Sequence, residues 1–359
     1  MSTLFEPLRI GKIELDNRLI MAPMTRGRAD DAGVQPAYVA EYYRQRASAG
    51  LIITEATNVS PMAKGYPRTP GIYSAEQVES WRRVTEAVHG RGGKIFLQIF
   101  HTGRIALPDY LPGGAQPVAP SAVKAKGQSY TDEGLKDFVT PRELTIDEIR
   151  RTIEDFSAAA RNAIDAGFDG VELHAANGYL AHQFLGTNTN LRTDQYGGSH
   201  ENRARFLFEV LDAMSMAIGA EKVGVKLSPS VQFNDIQDAD AEEFYPFIIR
   251  ELNKRNLAYL HIGFEETPAS KIDWHGKLRP LYRGVYLANG GFTKEAGEKL
   301  LSGGGADAIV YGKLFLANPD LPERFKRDAP LNNPDQSTFY ARGERGYTDY
   351  PTIERASAV

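Results

Sequence analysis

The sequence predicts an α/β protein folded as a single (β/α)8 barrel, the TIM-barrel architecture, and three observations predict it. Short apolar segments that read as buried strands alternate with longer segments of helical period about eight times along the 359 residues. Glycine pairs and polar residues cluster just past the carboxyl ends of several apolar runs, where parallel α/β folds carry their chemistry. No tandem repeat, low-complexity stretch or linker interrupts the alternation, so residues 1–359 are expected to form one domain.

Taken in order, Leu4 to Leu15 holds two short segments about Gly11-Lys12, a hairpin placed to plug the barrel floor. Asp16-Asn17 turns the chain into a first strand, Arg18 to Ala22, which runs on into Pro23-Met24-Thr25. Pro36 to Ser48 is helical, with Tyr38, Tyr42 and Ala47 on one face, and Leu51 to Ala56 is a second strand. Ser74-Ala-Glu-Gln77 is a capping box opening a helix that runs to about Gly90, before a third strand from Lys94 to Ile99. From His101 to Pro141 the chain is rich in Pro, Gly and Ser without a period, a long loop after strand three of the kind that forms lids or binding loops.

Thr145-Ile-Asp-Glu148 is a second capping box, followed by Ile146, Ile149, Ile153, Phe156, Ala160 and Ala163 at helical spacing. The fourth strand starts at Asp169. A helix from Glu201 to Ile218, a strand from Val223 to Ser228, a helix from Ala241 to Arg255 and a strand from Ala258 to Ile262 come next. Val285 to Ala288 and Asp307 to Tyr311 are the last two strands, with a helix from Thr293 to Ser302 between them.

Composition excludes several classes. Forty-two basic against 46 acidic residues give a net charge of −4, which offers no electrostatic footprint for nucleic acid or an anionic membrane. No apolar run approaches a membrane span, and Met1-Ser-Thr-Leu-Phe5 lacks a basic region followed by a hydrophobic one, so the cytoplasm is the expected compartment. Zero cysteines exclude disulfides, thiolate nucleophiles and cysteine ligation of zinc or iron–sulfur clusters. No metal ligand is assigned.

The chemistry centres on Asp169 to Gly198. Val171 and Leu173 form a short buried strand, and a histidine, an amide and a phenol follow within six residues: His174, Asn177 and Tyr179. His174 and Asn177 are three apart, so one helical turn would set two donors side by side on one oxygen atom. On an ideal helix Tyr179 lies ~140° further round than His174, so it is expected to meet a bound molecule from another side. Barrels of this layout often hold a phosphate at the loops after strands seven and eight. Those loops are Asn289-Gly290-Gly291 and Tyr311-Gly312-Lys313, where glycine amides approach closely and a lysine adds charge. Without a GxGxxG fingerprint or a P-loop, a mononucleotide fits better than a dinucleotide. Lys226, aimed into a barrel, is costly to bury without an anionic partner, which also favours a cofactor.

Leu4-Phe5-Glu-Pro-Leu8, Asn17-Arg18, Met21-Ala-Pro-Met-Thr-Arg26, His101-Thr-Gly-Arg104, His174-Ala-Ala-Asn-Gly-Tyr-Leu180, Arg192-Thr-Asp-Gln-Tyr-Gly-Gly-Ser199, Asn202-Arg203, Asn318-Pro-Asp320 and Gly346-Tyr-Thr-Asp-Tyr-Pro351 together resemble the Old Yellow Enzyme family, from near the first residue to Pro351. The resemblance implies a barrel with non-covalent FMN that takes electrons from NADPH or NADH and reduces electron-poor alkenes, α,β-unsaturated carbonyl compounds and nitro compounds among them, by ping-pong kinetics. It implies that His174 and Asn177 hydrogen-bond the substrate's activating oxygen and that Tyr179 gives a proton to its α carbon. It places Thr25 on the flavin O4, Gln98 on the pyrimidine edge, and Pro23, Met24 and Ala56 along the isoalloxazine. Gly290, Gly291, Gly312 and Lys313 would hold the phosphate, and Tyr66, Phe100 and Tyr347 would line the substrate cavity. The implied partner is a small molecule, and the protein a monomer or small homo-oligomer.

The chain departs from the family at three positions. Lys226 and Lys313 stand where most members have arginine, and lysine lacks the planar fork, which implies a looser hold on FMN or altered redox tuning. Phe100 stands where many have tryptophan, which implies a more open cavity. The missing cysteines separate the chain from the branch with cysteine at the Thr25 position and from larger members with an iron–sulfur cluster. His101 and His182 are read as structural hydrogen-bonding groups, and Gln98, Tyr66, Tyr347 and Thr25 each have a purely structural reading as well. The competing functions are a flavin dehydrogenase, a flavin-binding protein without turnover, and a barrel lyase with Lys226 as its Schiff-base lysine.

Overall fold

The computed structural model describes residues 3–264 and 271–356. Among them, eight parallel strands close a barrel: β1 (Leu19–Met21), β2 (Leu51–Ile53), β3 (Ile95–Phe100), β4 (Gly170–His174), β5 (Val223–Leu227), β6 (Tyr259–Gly263), β7 (Tyr286–Asn289) and β8 (Ala308–Tyr311). β8 pairs with β1, and β3 with β4, so no edge is left. Helices α1 (Tyr38–Gln45), α2 (Ala75–His89), α3 (Ile146–Asp165), α4 (His200–Ile218), α5 (Ala241–Leu252), α6 (Trp274–Leu278) and α7 (Lys294–Ser302) follow the strands in turn. Two short helices, Lys313–Ala317 and Leu321–Lys326, follow β8.

Both expected capping boxes form, Ser74 with Gln77 on α2 and Thr145 with Glu148 on α3, satisfying amides that the first turn of a helix leaves unpaired. The expected hairpin forms too, Leu8–Ile10 against Ile13–Leu15. Its Ile10 and Leu15 pack beneath Ile20, Leu51, Ile53, Phe96, Tyr259 and Leu287 and close the floor. Two aromatic rings fill the lower barrel because glycine faces them: a β carbon on Gly170 would lie 2.4 Å from the Phe96 ring, and one on Gly224 2.4 Å from Tyr259.

Two segments differ from expectation. β2 stops at Ile53 rather than Ala56: the Glu55 amide donates to the Tyr43 hydroxyl at 3.1 Å rather than to a neighbouring strand, and its buried carboxylate accepts the amides of Arg26 and Gly27 at 3.1 and 3.2 Å. The stretch after β3 is partly regular: Gln128–Thr131 and Gly134–Asp137 pair as an antiparallel hairpin, and Val118–Ala119 pairs with Arg142–Glu143. Gln-Ser-Tyr-Thr carries a single large apolar side chain, too weak a period to read. Among the described residues no helix is long and apolar enough to cross a membrane.

Candidate active site

Every strand of the barrel points alternate side chains inward. Toward the carboxyl ends this places Gln98 and Phe100 of β3, Glu172 and His174 of β4, Lys226 of β5 and His261 of β6 in one region, with His174 in register beside Lys226 and Lys226 beside His261. The lower part of this set is bonded together: Gln98 Nε2 donates to Glu172 Oε1 at 2.7 Å, and His261 Nδ1 lies 2.9 Å from Glu172 Oε2. Sequence reading did not single out Glu172 or His261; a Glu between Val171 and Leu173 on a buried strand was the available signal.

Above them the bonding stops. His174 is buried and its Nδ1 has no hydrogen-bond partner. Burial, with smaller contributions from Lys226 and the histidines His261 and His182, holds its pKa well below the usual histidine value, so it is neutral. Lys226 is buried as well, and among the described residues its ammonium has no ion pair; burial lowers its pKa against a weaker pull from Glu172. An orphan imidazole nitrogen and an unpaired buried ammonium side by side mark a place built for something polar and anionic.

The segment after His174 is not the helical turn expected from spacing. Asn177 sits in the left-handed region at φ 55°, and Tyr179 is extended before the short helix Leu180–Leu185. Side chains of the next loop supply the bonds a helix would have made: the Asn177 amide donates to Ser228 Oγ at 2.8 Å, and Asn234 Nδ2 donates to Asn177 O at 2.9 Å. Asn234 is itself left-handed, so two strained asparagines lock two catalytic-end loops together. As a result Tyr179 does meet His174, ring centroids 4.9 Å apart and nearly perpendicular, with Phe100 5.3 Å from Tyr179.

The Tyr179 hydroxyl lies 3.1 Å from that of Tyr66. Burial pushes the Tyr179 pKa well above 10, the Tyr66 phenol adds to this, and the Asn234 amide opposes it, so Tyr179 holds its proton. Both phenols and Thr25 line a cavity of ≈ 350 Å³, together with Arg68, Tyr130, Leu135, Phe138, Phe233, Asn234 and Tyr340. Phe233 also lines an adjoining cavity of ≈ 370 Å³ that holds Asn177, Lys226, Gly290 and Gly291. Met24 and Gly312 are neighbours, since a β carbon on Gly312 would lie 3.6 Å from Met24 Sδ, and Pro23 is half-buried beside them. Ala56 packs in one apolar cluster with Phe100 and Tyr179. Lys313 is exposed at the start of its short helix.

Tyr347 is placed elsewhere. It is fully buried, stacked on Tyr42 at 3.9 Å with the guanidinium groups of Arg26 and Arg28 on its ring at 5.0 and 4.7 Å, and it is absent from the lining of either cavity. The remaining motifs hold the site from outside. Arg104 donates to the carbonyls of Asn234 and Asp235 at 3.1 and 2.7 Å, and Gln183 spans from the Arg104 amide to Gly178 O. His101 accepts from the Gly103 amide and His182 from that of Gly178, the structural roles expected of them.

A parallel barrel whose strand ends hold a neutral imidazole, a protonated phenol and a pocket lined by a buried lysine and glycines fits a cofactor-dependent oxidoreductase. The model of the NADH:flavin oxidoreductase / NADH oxidase family matches residues 3–332, and the chain belongs to this family, in its Old Yellow Enzyme group of ene-reductases. It is 46% identical over 360 residues to 12-oxophytodienoate reductase 1 of Oryza sativa subsp. japonica, covering 98% of this chain and 93% of that protein. It is 46% identical over 359 residues to a probable flavin mononucleotide-dependent alkene reductase of Leishmania infantum, covering 98% of each. Among solved structures, morphinone reductase in complex with tetrahydroNAD superposes with a TM-score of 0.94 at 46% identity over 99% of both chains. The Old Yellow Enzyme homologue from Zymomonas mobilis gives 0.94 at 42% identity, over 97% of this chain and 99% of that one.

Proposed function

We propose that this chain holds FMN non-covalently at the carboxyl end of the barrel, accepts hydride equivalents from NADPH or NADH, and reduces the C=C bond of α,β-unsaturated carbonyl and nitro compounds. The observation that carries the reading is the buried, neutral His174 with an unpaired ring nitrogen, set against the protonated phenol of Tyr179. FMN, when bound, supplies the hydride chemistry. The chain supplies orientation and charge. The glycine backbone at Gly290, Gly291 and Gly312 admits a phosphate closely, and Lys226 and Lys313 give it positive charge. Thr25 and Gln98 would hydrogen-bond the cofactor's ring system, and Pro23, Met24 and Ala56 would pack along it.

His174 and Asn177 donate to the substrate's carbonyl or nitro oxygen, where negative charge grows as the β carbon accepts hydride. The low pKa of His174 suits this: a neutral donor stabilises the growing charge without first transferring its proton. Tyr179 then gives its phenolic proton to the α carbon, and Tyr66 is placed to share the charge left on its oxygen. Phe100 and Tyr66 wall the alkene. Tyr347 is assigned support of the Arg26 and Arg28 stack rather than substrate contact. The protein is proposed to act in the cytoplasm, as a monomer or small homo-oligomer, folded as one domain.

The test is the visible absorption of the purified protein, followed by anaerobic NADPH or NADH and then cyclohexenone. A yellow protein that bleaches with the nicotinamide and regains its colour with the enone supports the reading. A protein that cannot be loaded with FMN, or that stays bleached with the enone, contradicts it.

A further inference from the structure

Among the described residues seven large hydrophobic side chains are exposed, and four of them line a cavity that holds Tyr179. These are Tyr130, Leu135, Phe233 and Tyr340, at 51, 65, 57 and 60% exposure. Scattered exposed hydrophobics need no explanation, but a ring of them at a single mouth does. Tyr130 and Leu135 are directly opposed across the hairpin that follows β3, so their side chains share the face turned to the cavity.

The hairpin is fastened in that position. Arg68, in the left-handed region at φ 55°, bonds the Asp132 carboxylate at the hairpin tip, the Gly27 carbonyl at 3.2 Å and the Tyr340 carbonyl at 3.4 Å. One guanidinium thus ties together three segments that wall the cavity. The hairpin carries Asp132, Glu133 and Asp137 against one cation of its own, Lys136, which is held between Asp109 and Glu133 at 2.7 and 2.6 Å, and the neighbouring Arg68 and Arg342 both face Asp132. Among the described residues each of these cations already faces a carboxylate, so an anionic group reaching this mouth finds no free partner, whereas an apolar one finds four surfaces to cover.

We infer that the hairpin is a specificity element: the enzyme prefers enones whose alkene carries a neutral apolar body, long enough to pass from Tyr179 to the rim of Tyr130, Leu135, Phe233 and Tyr340, and discriminates against the same body bearing a carboxylate. This rests on the proposed alkene site at Tyr179. Only the part of the substrate remote from the reacting carbons is concerned, so the effect falls on capture of the substrate.

Three probes test it: cyclohexenone, which has no such body, 4-phenyl-3-buten-2-one, and its 4-carboxyphenyl analogue. The neutral aryl enone is expected to exceed the carboxylate analogue by about tenfold or more in kcat/KM, a difference that shrinks with added salt. Tyr130→Ser with Leu135→Ser, and Leu135→Ser alone, should lower the ratio of kcat/KM for the aryl enone to that for cyclohexenone, by about tenfold in the double variant, with FMN absorption reporting that each variant is folded. Equal kcat/KM for the neutral and carboxylate enones, or an unmoved ratio in both variants, overturns the inference while leaving the alkene site standing. A raised KM for NADPH or NADH with that ratio unmoved assigns the rim to the nicotinamide donor and overturns it equally. Absence of turnover with all three probes overturns the alkene site and the inference together.

Discussion

The two ends of the barrel are built on opposite terms from the same strands. At the floor, Phe96 and Tyr259 fill the space left by Gly170 and Gly224, the hairpin seals them, and every side chain in the cluster is apolar or aromatic. Two to four residues along the same strands, Gln98, Glu172, His174, Lys226 and His261 are buried polar groups; among the described residues His174 Nδ1 and His261 Nε2 have no hydrogen-bond partner and Lys226 has no ion pair. Close packing at one end provides stability, and that surplus carries the cost of unpaired polar groups at the other. The loops repeat the contrast: the floor hairpin is regular, while the mouth holds left-handed Arg68, Asn177, Ser230, Asn234 and Asp235.

The sharpest way to break the comparison is to remove an orphan group. His174→Ala should lower kcat/KM for alkene reduction about 10²- to 10³-fold, the range for losing one oxyanion donor, with the protein at least as stable. A matching loss of folding stability would show that His174 is a packing residue. Next, Lys226→Met should weaken FMN binding by roughly 10- to 150-fold, the worth of a charge-assisted hydrogen bond, while the thermal midpoint of the apoprotein holds or rises as a buried ammonium is relieved. An apoprotein destabilised by this change, measured by calorimetry, would mean that Lys226 already has its partner in the fold.

The floor should respond in the reverse sense. Gly224→Ala pushes a methyl group against Tyr259 and is expected to cost about 1–3 kcal/mol in chemical denaturation, with kcat/KM nearly unchanged. Normal stability with altered kinetics would erase the distinction between the two ends. A second effect on stability is in pH. Burial lowers the pKa of His101 to about 3 and of His275 to about 4, and that of His174 well below its usual value. Each stays neutral when folded but takes a proton when unfolded below pH ~6.5, so its contribution is complete above that pH and is lost at about 1.4 kcal/mol per unit as the pH falls. The thermal midpoint should therefore drop between pH 7 and 5.5; a flat profile would place these rings in contact with water.

The fold was legible because strand and helix periods alternate without interruption, and because the capping boxes at Ser74 and Thr145 mark helix starts by chemistry rather than by period. That His174, Tyr179 and Lys226 meet at one end of the barrel was legible from their positions at and after strand ends. Their mutual geometry was not, since the left-handed turn at Asn177 depends on Ser228 and Asn234, more than fifty residues away. Long-range bonds also hide the Glu172, Gln98 and His261 cluster and the packing of Tyr347 on Tyr42, which no local spacing encodes. The hairpin at Gln128 to Asp137 escaped because its strands are short and largely polar.

The measurement closest to the central claim is stopped-flow absorption of Tyr179→Phe in its two half-reactions. Alkene reduction should slow by about 10²- to 10⁴-fold, as for loss of a general acid, while reduction by NADPH or NADH stays within about threefold of the parent rate. Equal slowing of both half-reactions, or none in either, would contradict the assignment of Tyr179 as the proton donor.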